Sequence, residues 1–252
     1  MEKYFTINAE KLSIRCKAYY DDWKTPRTVI LCGHGFGGHK DNKAVERFAG
    51  RVLEKNKSVL VLCFNWPGHG DDALKKITLD ACDTYLRLVL EHIEQTWTPE
   101  RLLGYATSFG GYLFLRYLAI HGNPFERLAL RCPAVPMYEV LTKTILDPDA
   151  IDKLNKGKPA LVGFDRKVEI TSDFLEELKA DDIRKRDYFD YADDMLILHG
   201  VKDEIVPFDE VSAFADEYCI ELIPFETADH RFIDPRNMDL AIAQILRFFK
   251  LR

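Results

Sequence analysis

An activated nucleophile can be built from a hydroxyl, an imidazole that takes its proton, and a carboxylate that holds the imidazole in place. This 252-residue chain carries those three side chains in order at Ser108, Asp203 and His230. Ser108 lies in the run Ala106-Thr107-Ser108-Phe109-Gly110-Gly111. A short apolar stretch, Arg101 to Tyr105, precedes it, and an apolar stretch long enough for a helix follows, ending at Gly122. A serine at a sharp strand-to-helix turn, with small residues two positions either side, has its hydroxyl lifted clear of the backbone. The helix N-terminus adds partial positive charge where an oxyanion would form. The alternative reading of Ser108 is a plain helix N-cap. Ala106 stands where the usual pattern has glycine.

Asp203 belongs to the string His199-Gly200-Val201-Lys202-Asp203-Glu204-Ile205-Val206-Pro207, just past the apolar run Met195 to Leu198. His230 follows the run Glu221 to Phe225 in the same way. Carboxyl ends of parallel strands are where open α/β sheets gather functional groups. Asp229 is a rival acid, but a sequence neighbour is badly placed to aim its carboxylate at the adjacent ring, so Asp203 is preferred. The order serine, acid, histidine is that of one known triad arrangement. Acyl transfer also needs N–H donors for the developing oxyanion. The backbone of Phe109, next to the serine, is one candidate. Phe36, in the loop His34-Gly35-Phe36-Gly37-Gly38 after the run Arg27 to Cys32, is the other. A glycine-rich phosphate cradle is the competing reading of that loop, and its spacing fits neither common phosphate motif. His34 and His199 each precede a glycine at a strand end and are expected to hold their loops. His92 and His121 fall on predicted helices. No histidine or cysteine spacing suggests a metal set.

The elements that must position these groups are legible in outline. Strands are expected near 4–7, 12–19, 29–32, 59–64, 102–105, 128–131, 196–198 and 221–225, with the first two pairing at the N-terminus. Helical stripes run through Leu79, Cys82, Leu86, Val89 and Ile93, and through Ile242, Ile245 and Phe249. Continuous apolar strands alternating with helices imply an α/β fold: a mostly parallel sheet covered on both faces. Between Pro133 and Asp194 the rhythm breaks. No strand is expected there, and the segment holds the aromatics Phe164, Phe174, Tyr188, Phe189 and Tyr191. It is either a functional lid or a helical excursion packed on its own aromatics.

Together these motifs, with Trp66-Pro67-Gly68-His69-Gly70, resemble the α/β-hydrolase superfamily over nearly the whole chain. The chain looks most like serine esterases of the cinnamoyl/feruloyl esterase type and their peptidase- and lipase-like cousins. The resemblance implies Ser108 as nucleophile, Asp203 as acid, His230 as base, and Phe36 and Phe109 as oxyanion donors. It implies no cofactor and no metal, and a cap inserted at 133–194 of a single domain spanning 1–252. Asn65 stands where many relatives carry aspartate. A small-molecule ester is the expected substrate. Thioesters and peptides use the same chemistry, and a non-catalytic ligand-binding module of the same fold is the alternative from another class.

Bulk properties exclude several other classes. Hydrophobic residues make up 47% and charged residues 30%, enough for a sizeable core. A net charge of −6 argues against nucleic acid as a partner. No apolar run reaches membrane-spanning length, and the first residues lack a signal peptide's apolar core. Six scattered cysteines suggest no disulfide framework, so reduced thiols and a cytoplasmic location are expected.

Overall fold

The computed structural model describes residues 1–9, 11–72, 76–163 and 166–252. In chain order the regular elements are β1 (Glu2–Ala9), β2 (Leu12–Tyr20), β3 (Thr28–Gly33), α1 (Lys43–Lys55), β4 (Val59–Phe64), α2 (Leu79–Trp97), β5 (Arg101–Thr107) and α3 (Phe109–His121). Then come β6 (Arg127–Arg131), α4 (Met137–Val140), α5 (Pro148–Asn155), β7 (Ala160–Val162), β8 (Val168–Ile170) and α6 (Ser172–Ala180). The chain closes with β9 (Met195–Gly200), α7 (Phe208–Tyr218), β10 (Glu221–Phe225) and α8 (Pro235–Phe248).

Eight strands form one sheet in the order β1-β2-β4-β3-β5-β6-β9-β10. The β1–β2 and β2–β4 pairs are antiparallel, and the pairs from β4 to β10 are parallel. Every residue of β3 and β4 is buried, as expected of central strands covered on both faces. Alternation along the strands sorts side chains into two cores. Leu31, Leu62, Leu130 and Ile197 pack with α2, α3 and α7 on one face. Ile30, Val61, Ala129 and Leu198 pack with α1 and α8 on the other. The predicted stripe on α2 is buried throughout, each such side chain contributing about 1.5–3 kcal/mol. Because the inner strands run in parallel, the loops after β3, β5, β6, β9 and β10 emerge at one edge.

All eight expected strands are present, extended by one to a few residues at some ends. One expectation needs correcting. The segment between β6 and β9 holds a two-stranded antiparallel hairpin, β7–β8, as well as its helices. Strands of three residues are too short to show a period of two, so nothing in the sequence marked them. In this segment Phe174 and Tyr188 are fully buried, while Phe189 is exposed; Phe164 lies outside the described residues. All six cysteines are free thiols, and five are buried. Among the described residues no helix is long and apolar enough to cross a membrane.

Candidate active site

Ser108 is the single residue between β5 and α3, with φ 51° and ψ −119°. A non-glycine backbone in this region costs about 1–3 kcal/mol and persists only where its surroundings hold it. Here the Ser108 N–H donates to the Arg131 carbonyl (3.0 Å), and the Ser108 carbonyl accepts from Tyr112 and Ala134 (both 3.1 Å). The serine side chain makes no capping hydrogen bond, which removes the N-cap reading. A β-carbon at Gly110 would meet the carbonyl oxygens of Gly33 at 2.6 Å and His34 at 2.7 Å. Helix α3 therefore leans on the end of β3 through a glycine. On the other side of the turn Gly33 supplies the space, because a β-carbon there would sit 3.3 Å from that of Ala106. Alanine is thus accommodated at 106 where glycine is required at 110.

Asp203 follows β9 in a tight turn closed by its N–H on the Gly200 carbonyl (3.1 Å). Its Oδ1 accepts from the N–H groups of Ile205 (2.9 Å) and Val206 (2.8 Å). Its Oδ2 accepts from His230 Nδ1 at 2.7 Å. The carboxylate is fully buried. Burial alone would raise its pKa, but the His230 hydrogen bond and charge, the Val206 N–H and His199 outweigh it, and the pKa is lowered. The rival acid, Asp229, is turned away and accepts from the N–H of Ile233 (3.1 Å). With Nδ1–H engaged by Asp203, Nε2 is the ring nitrogen of His230 left to exchange a proton.

Ser108 and His230 line one cleft of about 380 Å³, together with Gly35, Phe36, Thr107 and Ile145. Among the described residues no hydrogen bond joins the Ser108 hydroxyl to His230. Such contacts are commonly long before substrate binds.

The loop after β3 closes a turn through Gly38 N–H on the Gly35 carbonyl (2.9 Å), with Gly37 at φ 71°. This is a type II turn, which needs a positive φ at its third residue. A β-carbon at Gly35 would lie 3.2 Å from that of Ser108, so the loop carrying Phe36 abuts the serine. The Phe36 and Phe109 rings meet edge to face at 5.8 Å. As the first residue of α3, Phe109 has an N–H with no acceptor inside the helix.

Two buried histidines brace this loop from behind. His34 Nδ1–H donates to the Gly35 carbonyl (2.8 Å), and its Nε2 accepts from the Trp66 N–H (3.3 Å). His69 Nδ1–H donates to the Pro67 carbonyl (2.9 Å). Burial holds both imidazoles neutral, His34 well below its ordinary pKa and His69 at about 4. Asn65 ties the neighbouring loops together. Its Oδ1 accepts from the Lys40 N–H (2.7 Å) and its Nδ2 donates to Asp71 Oδ1 (2.6 Å). An aspartate here would face the carboxylate of Asp71, which gives this departure a physical reason.

Three neighbours of the site have roles that reading the sequence missed or only partly caught. His199 holds its loop through the Val206 carbonyl (3.0 Å), as expected, but its Nε2 also lies 3.3 Å from Asp203 Oδ2. Cys132 brings its thiol close to Asp203 and His230, with donor atoms of all three within 4.8 Å of one another. The carboxylate and imidazole of that trio already engage each other. Arg131 is buried at the end of β6 on the cleft wall. The only hint of it in the sequence is a charge closing an apolar strand.

The family model described as "Alpha/beta hydrolase family" matches residues 29–240. Monoacylglycerol lipase abhd6-B of Xenopus laevis is 26% identical over 222 residues, 86% of this chain. The chain spans 59% of the length of that relative. Among solved structures, Est1E from Butyrivibrio proteoclasticus with ferulic acid bound superposes with a TM-score of 0.76 at 17% identity, over 98% of this chain and 99% of that one. The mouse alpha/beta hydrolase domain-containing protein 10 gives 0.69 at 17% identity, covering 98% of both chains. A Paleococcus ferrophilus monoacylglycerol lipase gives 0.64 at 17% identity, over 93% of this chain and 97% of that one. At these identities the structural likeness is one of fold.

Proposed function

Since this chain belongs to the alpha/beta hydrolase family, we propose that it hydrolyses small carboxylic esters through a serine-bound acyl intermediate. The observation that carries the proposal is the buried Asp203 joined at 2.7 Å to His230, which shares a cleft with a serine held at a strained turn. In this reading Nε2 of His230 takes the Ser108 proton as the hydroxyl oxygen attacks the ester carbonyl. Asp203 holds the Nδ1–H tautomer and balances the imidazolium. The N–H groups of Phe36 and Phe109 receive the oxyanion. His230 then protonates the departing alkoxide, and water repeats the steps to release the acid. The names of similar proteins, two monoacylglycerol lipases and Est1E with ferulic acid bound, support an ester substrate.

Residues 133–194 act as a cap in this proposal. Ile145 reaches the cleft wall, and the Phe174 ring of α6 meets the Phe109 ring edge to face at 6.4 Å. A thioesterase would use the same route. Peptidase action on a free amino terminus is disfavoured by the lining. Lys43, Arg131 and Arg231 border the cleft, and no carboxylate does among the described lining residues. Glu204 is not among those described lining residues.

The test compares p-nitrophenyl butyrate, a butyryl thioester and an aminoacyl amide with wild-type and Ser108→Ala protein. Ester turnover should fall by about three or more orders of magnitude in the variant, and the amide should be the poorest substrate. Equal ester turnover by the two proteins would remove Ser108 from the mechanism.

A further inference from the structure

Arg131 closes β6 with only 6% of its surface exposed. A cation in such a place is expensive unless it is compensated, and a well-packed apolar residue commonly serves stability as well or better. Its contacts fall on the site. Its backbone carbonyl accepts the Ser108 N–H at 3.0 Å. Its Nη1 donates to the His230 carbonyl at 3.1 Å. Its guanidinium lies over the Phe232 ring, 5.2 Å from the centroid, on the same loop as His230. Its Nε is buried and finds no hydrogen-bond partner among the described residues. In register it pairs with Thr107 on one side and Leu198 on the other, between the strands that lead to Ser108 and Asp203. One residue therefore holds Ser108 through its backbone and the His230 loop through its side chain, from a strand that lies between those leading to Ser108 and Asp203.

We propose that Arg131 is a positioning residue for the triad, a buried cation that anchors the His230 loop and sets the pH range over which His230 serves as base. This rests on the reading of Ser108, Asp203 and His230 given above. The anchoring follows from the hydrogen bond to the His230 carbonyl and the contact with the Phe232 ring, both on the loop that carries the imidazole. The electrostatic role follows from sign: a fixed positive charge held against the His230 backbone opposes proton uptake by the ring of the same residue. Burial works against the guanidinium charge, and the ionised carboxylate of Asp203 is the neighbouring anion that sustains it. Several other groups face His230. Asp203 comes from the turn after β9 and Cys132 from the end of β6. His199 stands behind Asp203, and Ser108 and Lys43 share the cleft. Asp229 and Arg231 flank it on its own loop. Among these Asp203 favours the imidazolium, and Arg131 is the buried cation set against it.

The experiment uses the full chain, p-nitrophenyl butyrate, and the variants Arg131→Met and Arg131→Lys, with Ser108→Ala as control. Arg131→Met should lower kcat by about tenfold or more with KM within about threefold. The acidic limb of its kcat/KM profile should move up by about one pH unit. Arg131→Lys keeps a charge but loses the fork. It should leave the limb in place while still lowering kcat. Thermal melting confirms that each variant is folded. If Arg131→Met does not fold, Arg131→Gln replaces it with the same expectation, and the lysine variant alone still tests the anchor. An unchanged limb and kcat in the neutral variant would overturn the proposal, as would a limb shift of the same size in the lysine variant. If Ser108→Ala hydrolyses the ester as fast as wild type, the triad reading fails instead, whatever the Arg131 variants do.

Discussion

Acid should destabilise this protein well above the pH at which its carboxylates titrate, and the cause can be placed on two buried histidines. His34 and His69 are 3% and 1% exposed, and each uses Nδ1–H on a backbone carbonyl behind the glycine-rich loop. In the unfolded chain both would protonate near pH 6.5. In the folded chain burial holds His69 down at about 4 and His34 well below its ordinary value. Between those limits the unfolded state binds more protons, so stability rises with pH and is lost on acidification. From pH 7 to pH 5 the His69 difference is worth about 2 kcal/mol, and His34 adds to the loss in the same sense. The depressed pKa of Asp203 acts in the same sense, but at lower pH, as the carboxyl protonates. Urea unfolding at pH 7 and pH 5 measures the loss. His69→Gln removes one of the two titrations and should reduce the difference by about 2 kcal/mol, whatever it does to stability at pH 7. A wild type equally stable at both pH values, or a variant as acid-sensitive as wild type, would refute the assignment.

Two further substitutions test the frame of the site. Gly110→Ala places a β-carbon against the carbonyls of Gly33 and His34, so α3 must move away from β3. Thermal unfolding should show a loss of about 1–3 kcal/mol, with ester kcat/KM falling further as Ser108 shifts. Asn65→Asp sets a second carboxylate against Asp71, where the amide now donates at 2.6 Å. Stability at pH 7 should drop by about 1–3 kcal/mol and be recovered in the Asn65→Asp/Asp71→Asn double variant, as chemical denaturation would show.

Much of the candidate site was legible in the sequence because residue types able to do chemistry stand at strand ends. Ser108, Asp203 and His230 each follow an apolar run. The structure sets Ser108 at a strained turn and joins the other two at 2.7 Å. The glycines at 35 and 110 are needed for close approach, which leaves a mark in the sequence. Arg131 left almost none. A lone arginine closing a strand reads as a polar terminus, and its burial depends on a loop about 100 positions further on. The second contact of His199 was hidden for a related reason, since its distance to Asp203 is set by how the turn folds back. The β7–β8 hairpin escaped because three-residue strands carry no usable periodicity. Asn65 looked like an unexplained departure until Asp71 appeared beside it.

The most direct test of the account is covalent labelling with a fluorophosphonate, which reacts only with an activated serine. Intact-mass and peptide mapping should find one adduct per chain, on Ser108, with labelling abolished in Ser108→Ala and strongly slowed in Asp203→Asn. Folded wild-type protein that stays unlabelled, or that carries its adduct on another residue, would contradict the proposed chemistry.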